Sequence, residues 1–222
     1  MRKKGSKEIR KTHYRNFDHT FSLVKAKNSP WGSFFDLKSG QFYKQFVAEN
    51  GKTIILRSLK WEDLNNAVAY VNALAIESEQ DQDFGVPVEK QTLESEARWL
   101  ADNLVKIEEG YLVSVVAELD GMIVGSTEVE RGSRPVAKYH GILGISVAKE
   151  FRNLGIGFEL MKTGIDECRK AGLRTIELRV FSNNSRAIHL YEKIGFNRAG
   201  VIPKKIHRNG KFLDEVTMAI EL

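Results

Sequence analysis

The sequence predicts a mixed α/β domain, a sheet flanked by helices. Three observations predict it. Strand-type and helix-type hydrophobic periods alternate along the chain. Asn-Gly or Asp-Gly pairs at 50–51, 120–121 and 209–210 separate strand-type runs and suit tight turns. Over 139–181, a strand-type run, a glycine turn, an amphipathic helix and a second strand-type run make one β-α-β unit. A chain of 222 residues forms one domain, or one domain with an appendage.

The elements follow in order. Residues 1–30 are polar and basic without a sustained period, and read as a flexible arm. Residues 31–52 carry Trp31, Phe34, Phe35, Phe42, Tyr43 and Phe46, apolar mass that must pack on something. Within them begins a hairpin, 42–48 paired with 53–59 about Asn50-Gly51, which leads into a domain over 53–222. A helix is expected over 61–76, with Glu62 and Asp63 in its first turn, and another over 93–107, capped by Thr92. Strands at 112–119 and 123–129 join through Asp120-Gly121, and a third covers 139–147. The helix over 154–171 buries Ile156, Leu160, Ile165 and Cys168, and stops at Gly172 after Arg169 and Lys170. A strand at 175–181 leads to a helix over 185–194, closed by Gly195. Strands near 196–202 and 212–220 finish the chain.

Charge is unevenly spread. Residues 1–50 hold 11 Lys and Arg against 4 Asp and Glu, a net +7; the other 172 hold 23 against 25, a net −2. The basic arm offers contact with nucleic acid or a ribosome; its other reading is a solubilising tail. One cysteine excludes an internal disulfide and fits a reducing compartment such as the cytoplasm. No run approaches the length of a membrane span, and no apolar core follows the basic start, so neither membrane nor signal peptide is expected.

The glycine turn reads R-x-x-G-x-G, carried by Arg152, Gly155 and Gly157. Glycine lets backbone approach an anion closely. The first N–H groups of the following helix lack intrahelical partners and sit at its positive end. Arg152 adds a cation. The turn is therefore an anion cradle that needs no metal. It matches neither the P-loop nor the dinucleotide-binding fingerprint.

Thirty residues on, Asn184, Ala187, Leu190, Tyr191, Gly195 and Phe196 spell N-x-x-A-x-x-L-Y-x-x-x-G-F. Together, in this order and spacing, the two motifs resemble the GNAT superfamily of acetyl-CoA-dependent N-acetyltransferases, over about 53–221. The resemblance implies a mostly antiparallel central sheet and direct acetyl transfer to a primary amine. The amides of Arg152, Asn153, Leu154, Gly155, Ile156 and Gly157 would hold the CoA pyrophosphate. The backbone of Ile145, Ser146 and Val147 would run along the pantetheine arm, and a backbone N–H there would polarise the thioester carbonyl. Asn184 matches the asparagine that helps hold CoA. Tyr191 matches the tyrosine that protonates the departing thiolate as general acid.

The pattern departs at one position. Many relatives carry a glutamate base eleven residues before the arginine; here that residue is Gly141. His140 beside it, and Glu128 and Glu130 on the neighbouring strand, are candidate bases, with bulk water as the remaining option. Glu77, Glu79, Asp81 and Asp83 fall in the loop between the first two helices, where Glu79, Asp81 and Asp83 would draw a cationic acceptor. The acceptor is a small amine, an amino acid, a polyamine or a protein N-terminus. The missing glutamate also leaves open an acyl-CoA-binding module without turnover, and the arm an RNA-associated protein. A homodimer would pair through the C-terminal strand or the aromatic 31–50 segment.

Overall fold

A computed structural model describes residues 37–80, 88–208 and 210–222. The arm over 1–30, Trp31, Phe34 and Phe35, Asp81 and Asp83, and Asn209 lie outside the described residues. The chain order is β1 (Phe42–Val47), β2 (Thr53–Arg57), α1 (Leu64–Gln80), α2 (Leu93–Glu108), β3 (Leu112–Leu119), β4 (Met122–Arg131), β5 (His140–Val147), α3 (Ile156–Lys170), β6 (Thr175–Phe181), α4 (Ser185–Ile194), β7 (Asn197–Arg208) and β8 (Lys211–Glu221). One eight-stranded sheet has the order β1-β2-β3-β4-β5-β6-β8-β7. Every neighbouring pair is antiparallel except β5 and β6.

Local signals explain most boundaries. Thr92 caps α2: its side chain accepts from the Ser95 N–H, and Ser95 Oγ accepts from the Thr92 N–H at 2.9 Å. Gly195, at φ +112°, ends α4 in the left-handed conformation that glycine tolerates best. A short 3₁₀ turn, Trp61–Asp63, precedes α1. Asp63, 1% exposed, holds Arg57 through two bonds of 2.7 Å and accepts from the Lys60 N–H, so the end of β2 and the start of α1 are tied by one carboxylate.

Two elements run four or more residues past their predicted ends. Helix α1 continues past residue 76 to Gln80, which places Glu77 and Glu79 in its last turn rather than in a loop. Strand β7 continues past residue 202 to Arg208. Pro203 does not end it, because a register shift between Ile202 and Ile206 absorbs Pro203 and Lys204, the latter at φ +54°. β7 is an edge strand, where a missing N–H is tolerated.

Helix α3 packs on one face of the sheet, against β3 and β4; α1 and α2 pack on the other. Leu160, Met161 and Cys168 of α3 are fully buried. Gly164 lets α3 come close: a Cβ there would stand 3.2 Å from Thr127 Cγ2. On β4 the alternation turns Gly125, Thr127 and Val129 to α3, and Ser126, Glu128 and Glu130 to the face of α1 and α2. Among the described residues, no helix is long and apolar enough to cross a membrane, and no three His, Cys, Asp or Glu side chains gather as metal ligands.

Candidate active site

The parallel strands β5 and β6 pair only from His140↔Thr175 to Ile142↔Glu177. Beyond that they part. β5 stays bonded to β4 as far as Val147, and β6 to β8 as far as Phe181. Each strand is held by its outer neighbour, so a cleft opens between their carboxyl ends, as the rule for β-α-β units leads one to expect. It has a volume of about 1130 Å³, above the usual range for small-ligand sites.

At one end of this cleft lies the glycine turn. Gly155 is the N-cap of α3, at φ +81°, and no side chain caps the helix, in contrast to α2 and α4. A Cβ on Gly155 would meet nothing within 4 Å; on Gly157 it would meet Leu190 Cδ2 at 3.4 Å, an ordinary contact. Protein packing therefore does not require the second glycine. Its bareness leaves the first turn of the helix open to the cleft, a shape that suits a phosphate.

Arg152 lines the cleft but is not an uncommitted cation. Its Nη2 donates to Glu77 Oε2 at 2.7 Å, Nη1 donates to Glu77 Oε1, and Nε donates to the Val147 carbonyl at 2.8 Å. Both partners are nearly buried. This bidentate pair ties the last turn of α1 to the end of β5, and the guanidinium reaches the turn already balanced by a carboxylate.

On the wall formed by α4, Asn184 accepts from the Ala187 N–H at 3.1 Å through Oδ1, as N-cap, and lines the cleft. Tyr191 lies one α-helical stretch further, 7% exposed, its ring tilted against Phe196 at 6.2 Å between centroids. Burial pushes the Tyr191 hydroxyl up to about 12. Ile145, Ser146 and Val147 of β5, with Asn153 of the turn, line the same cleft.

The candidate bases separate in space. Glu128 lines the cleft, opposite Gly144 in the β4–β5 register. Burial, then the charges of Glu96 and Glu130, push its carboxyl up to about 7, against a smaller opposing effect of Lys106. Glu130 is exposed, bonded to Lys106 at 2.8 Å, and opens on a neighbouring hollow of about 300 Å³ that Glu128 also lines. His140 stands at the other end of β5 from the glycine turn, outside the cleft lining, with Nδ1 3.1 Å from Thr175 Oγ1. Glu79 is exposed on α1 and likewise outside the lining. Of the three, only Glu128 shares the cleft with Tyr191 and the glycine turn.

The comparisons with known proteins decide the family. The family model described as the acetyltransferase (GNAT) family matches residues 73–196, more than half of the chain.

This chain belongs to the GNAT acetyltransferase family.

Among similar curated proteins, the GNAT chain is 35% identical over 106 residues to L-amino acid N-acetyltransferase AaaT of Escherichia coli, covering 47% of the chain and 65% of that relative. It is 32% identical over 126 residues to a probable N-acetyltransferase, camello, of Xenopus tropicalis, covering 52% and 56%. It thus spans a little over half to about two thirds of the length of these relatives. Its fold is that of a GNAT-family acetyltransferase from Streptococcus pneumoniae, with a TM-score of 0.67 at 24% identity over 76% of this chain and 99% of that one. A putative acetyltransferase, yncA, from Salmonella typhimurium, whose structure holds its cofactor acetyl-CoA, superposes with a TM-score of 0.65 at 18% identity over 76% and 93%.

Several cleft residues of this GNAT domain carry no local sequence signal. Tyr70 of α1 lies 2.9 Å from Ser146 Oγ, which lies 3.5 Å from Ser126 Oγ, so three hydroxyls from α1, β4 and β5 line up beside Glu128. Glu96 and Trp99 of α2 line the same end. Only the period-2 placement of Ser126 beside Glu128 was available to the sequence; α1 and α2 join the site through tertiary packing.

Proposed function

We propose that this GNAT chain transfers the acetyl group of acetyl-CoA to a primary amine by direct attack, with Glu128 as base. The observation that carries the reading is one cleft that joins an uncapped helix start to a carboxyl poised near neutrality. The residues present fit a CoA ester. The uncapped start of α3 and the bare Gly155 and Gly157 suit its pyrophosphate, and the unpaired flank of β5 from Leu143 to Val147 suits an extended pantetheine arm. A CoA thioester supplies an activated acetyl group.

The chain's own residues do the rest. Glu128, ionised above about pH 7, takes a proton from the amine, directly or through one water, so that the nitrogen lone pair is free to attack. Backbone N–H groups of β5 donate to the carbonyl oxygen as negative charge grows there. The N–C bond forms, the C–S bond breaks, sulfur leaves with the bond's electron pair, and the acylated nitrogen gives its second proton to solvent. Tyr191 meets that sulfur as a hydrogen-bond donor. With its hydroxyl at about 12, against about 8.5 for an ordinary thiol, complete proton transfer is uphill, so Tyr191 stabilises the thiolate and solvent protonates it.

The reading is tested by thiol release from acetyl-CoA across a panel of amines. Amine-dependent release supports it. Tight CoA binding without release for any amine would instead identify a binding module. Tyr191→Phe is expected to lower kcat roughly 10- to 100-fold, the worth of one hydrogen bond to a charged group. An unchanged rate removes Tyr191 from the reaction.

A further inference from the structure

Glu96 has no role in the transfer just described, and its carboxylate is unpartnered. It lies in the first turn of α2, 5% exposed, and its side chain makes no hydrogen bond or ion pair among the described residues. It lines the cleft and lies near enough to Glu128 for the two charges to act on each other. Burial alone raises its carboxyl above the ordinary value. Its carboxylate is not sealed in protein but opens on the cleft, with no counter-ion beside it among the described residues.

The nearby cations are committed or elsewhere. Arg152 is chelated by Glu77. Lys106 binds Glu130 and lines only the neighbouring hollow. Arg179, Arg186 and Lys193 line the cleft from β6 and α4, and Arg179 bonds Glu177 at 3.0 Å. The acceptor end is walled by Ala67, Tyr70, Val71, Leu74 and Trp99, apolar or aromatic surface that takes a short alkyl chain. Trp99, one turn beyond Glu96, adds a π face for a cation.

Charge balance then narrows the acceptor. A reacting ammonium brings one positive charge. Once Glu128 has taken its proton, that nitrogen is neutral and Glu96 is again alone. A second cation on the acceptor compensates Glu96 through the whole reaction. A carboxylate beside the reacting nitrogen does the reverse, placing a third negative charge among two.

We infer that Glu96 is a specificity-determining residue that binds the second ammonium group of a diamine or polyamine acceptor, and selects against free amino acids. This rests on the acetyl-transfer reading above. It sets this chain apart from the amino acid named for its Escherichia coli relative.

The test compares a four-carbon diamine, the monoamine of the same length, and a free α-amino acid as acceptors, by thiol release above the pKa of Glu128. The diamine is expected to exceed the monoamine in kcat/KM by roughly tenfold or more, the scale of one partly buried ion pair. The amino acid is expected to be the poorest of the three. In Glu96→Gln the diamine-to-monoamine ratio falls toward one, carried by KM for the diamine, and Glu96→Asp restores part of it. Should the glutamine variant not fold, the wild-type ranking decides the diamine preference, and Glu96→Asp, with a ratio between one and the wild-type value, decides its assignment to Glu96. Equal rates for diamine and monoamine, or a preference for the amino acid, overturn the inference.

A second readout needs no turnover. The diamine is expected to raise Tm of the wild-type protein more than that of Glu96→Gln. Glu96-dependent diamine binding with no thiol release for any amine means that the transfer reading fails and the binding site stands. Thiol release without diamine preference means that transfer stands and the role of Glu96 fails.

Discussion

Glu128→Gln is expected to lower kcat/KM for the acceptor by roughly 10²- to 10⁴-fold, the usual worth of a positioned base. Glutamine keeps the shape and hydrogen-bonding reach of the side chain but accepts no proton. The pH profile carries the sharper signature. In the wild type the carboxyl is raised to about 7, so activity is expected to climb as pH rises through that value and the base ionises. In the variant that limb disappears, leaving only the ionisation of the free amine. Stability moves the other way. A carboxyl whose folded pKa exceeds its unfolded value costs nothing when both states are protonated. Its penalty builds as pH rises from about 4.3 and is complete above about 7. The glutamine variant is therefore expected to melt at a higher temperature than the wild type above neutral pH, and at the same temperature in acid. A variant that keeps the wild-type rate and profile would return the proton to bulk water.

Gly141→Glu is expected to unfold the domain rather than supply the base that the family pattern places there. The β5 alternation turns position 141 to the face under α3, away from the cleft side held by Ile142, Gly144 and Ser146. A Cβ at Gly141 would stand 2.6 Å from both Leu173 Cδ2 and Val129 Cγ1, two buried core atoms. Alanine alone overfills this space, at about 1–3 kcal/mol. Glutamate adds a carboxylate enclosed by aliphatic side chains, which brings the cost to about 4 kcal/mol or more. Thermal unfolding of the alanine and glutamate variants measures both steps. The paired experiment is Gly141→Glu combined with Glu128→Gln: a folded double variant with recovered turnover would show that position 141 can serve the chemistry, against the geometry described above.

What the sequence made legible and what it hid divide along a physical line. Turns, caps and the glycine cradle are local, decided by residues within a few positions of one another. Thr92, Gly155, Gly172 and Gly195 therefore mark helix ends close to where they occur. Helix α1 was the exception. Its last turn is acidic and without apolar period, and no Gly or Pro follows until Gly85, so nothing in the sequence separated Glu77 and Glu79 from a loop. The commitments of charge were hidden for a different reason. Arg152 meets a carboxylate 75 positions away, and Glu96, Glu128 and Tyr70 converge from three elements. Only the packing of α1 and α2 on the sheet reveals which acid has a counter-ion and which does not. The same packing puts Glu128, and neither His140 nor Glu130, in the cleft lining, because strand alternation fixed their face but not which end of the cleft each would see.

The burial of Cys168 has a practical consequence. It is the chain's one cysteine, fully buried on the packed side of α3, and burial pushes its thiol far above the ordinary value. Reactivity belongs to the thiolate, so at neutral pH the folded protein offers nothing to an aromatic disulfide or a maleimide. In the proposed transfer, any thiol such a reagent detects is then expected to come from the coenzyme, and the assay can run continuously without a protein background. With substrates withheld, the same reagent reports how often the core opens, since labelling of Cys168 must wait for α3 to lift from the sheet.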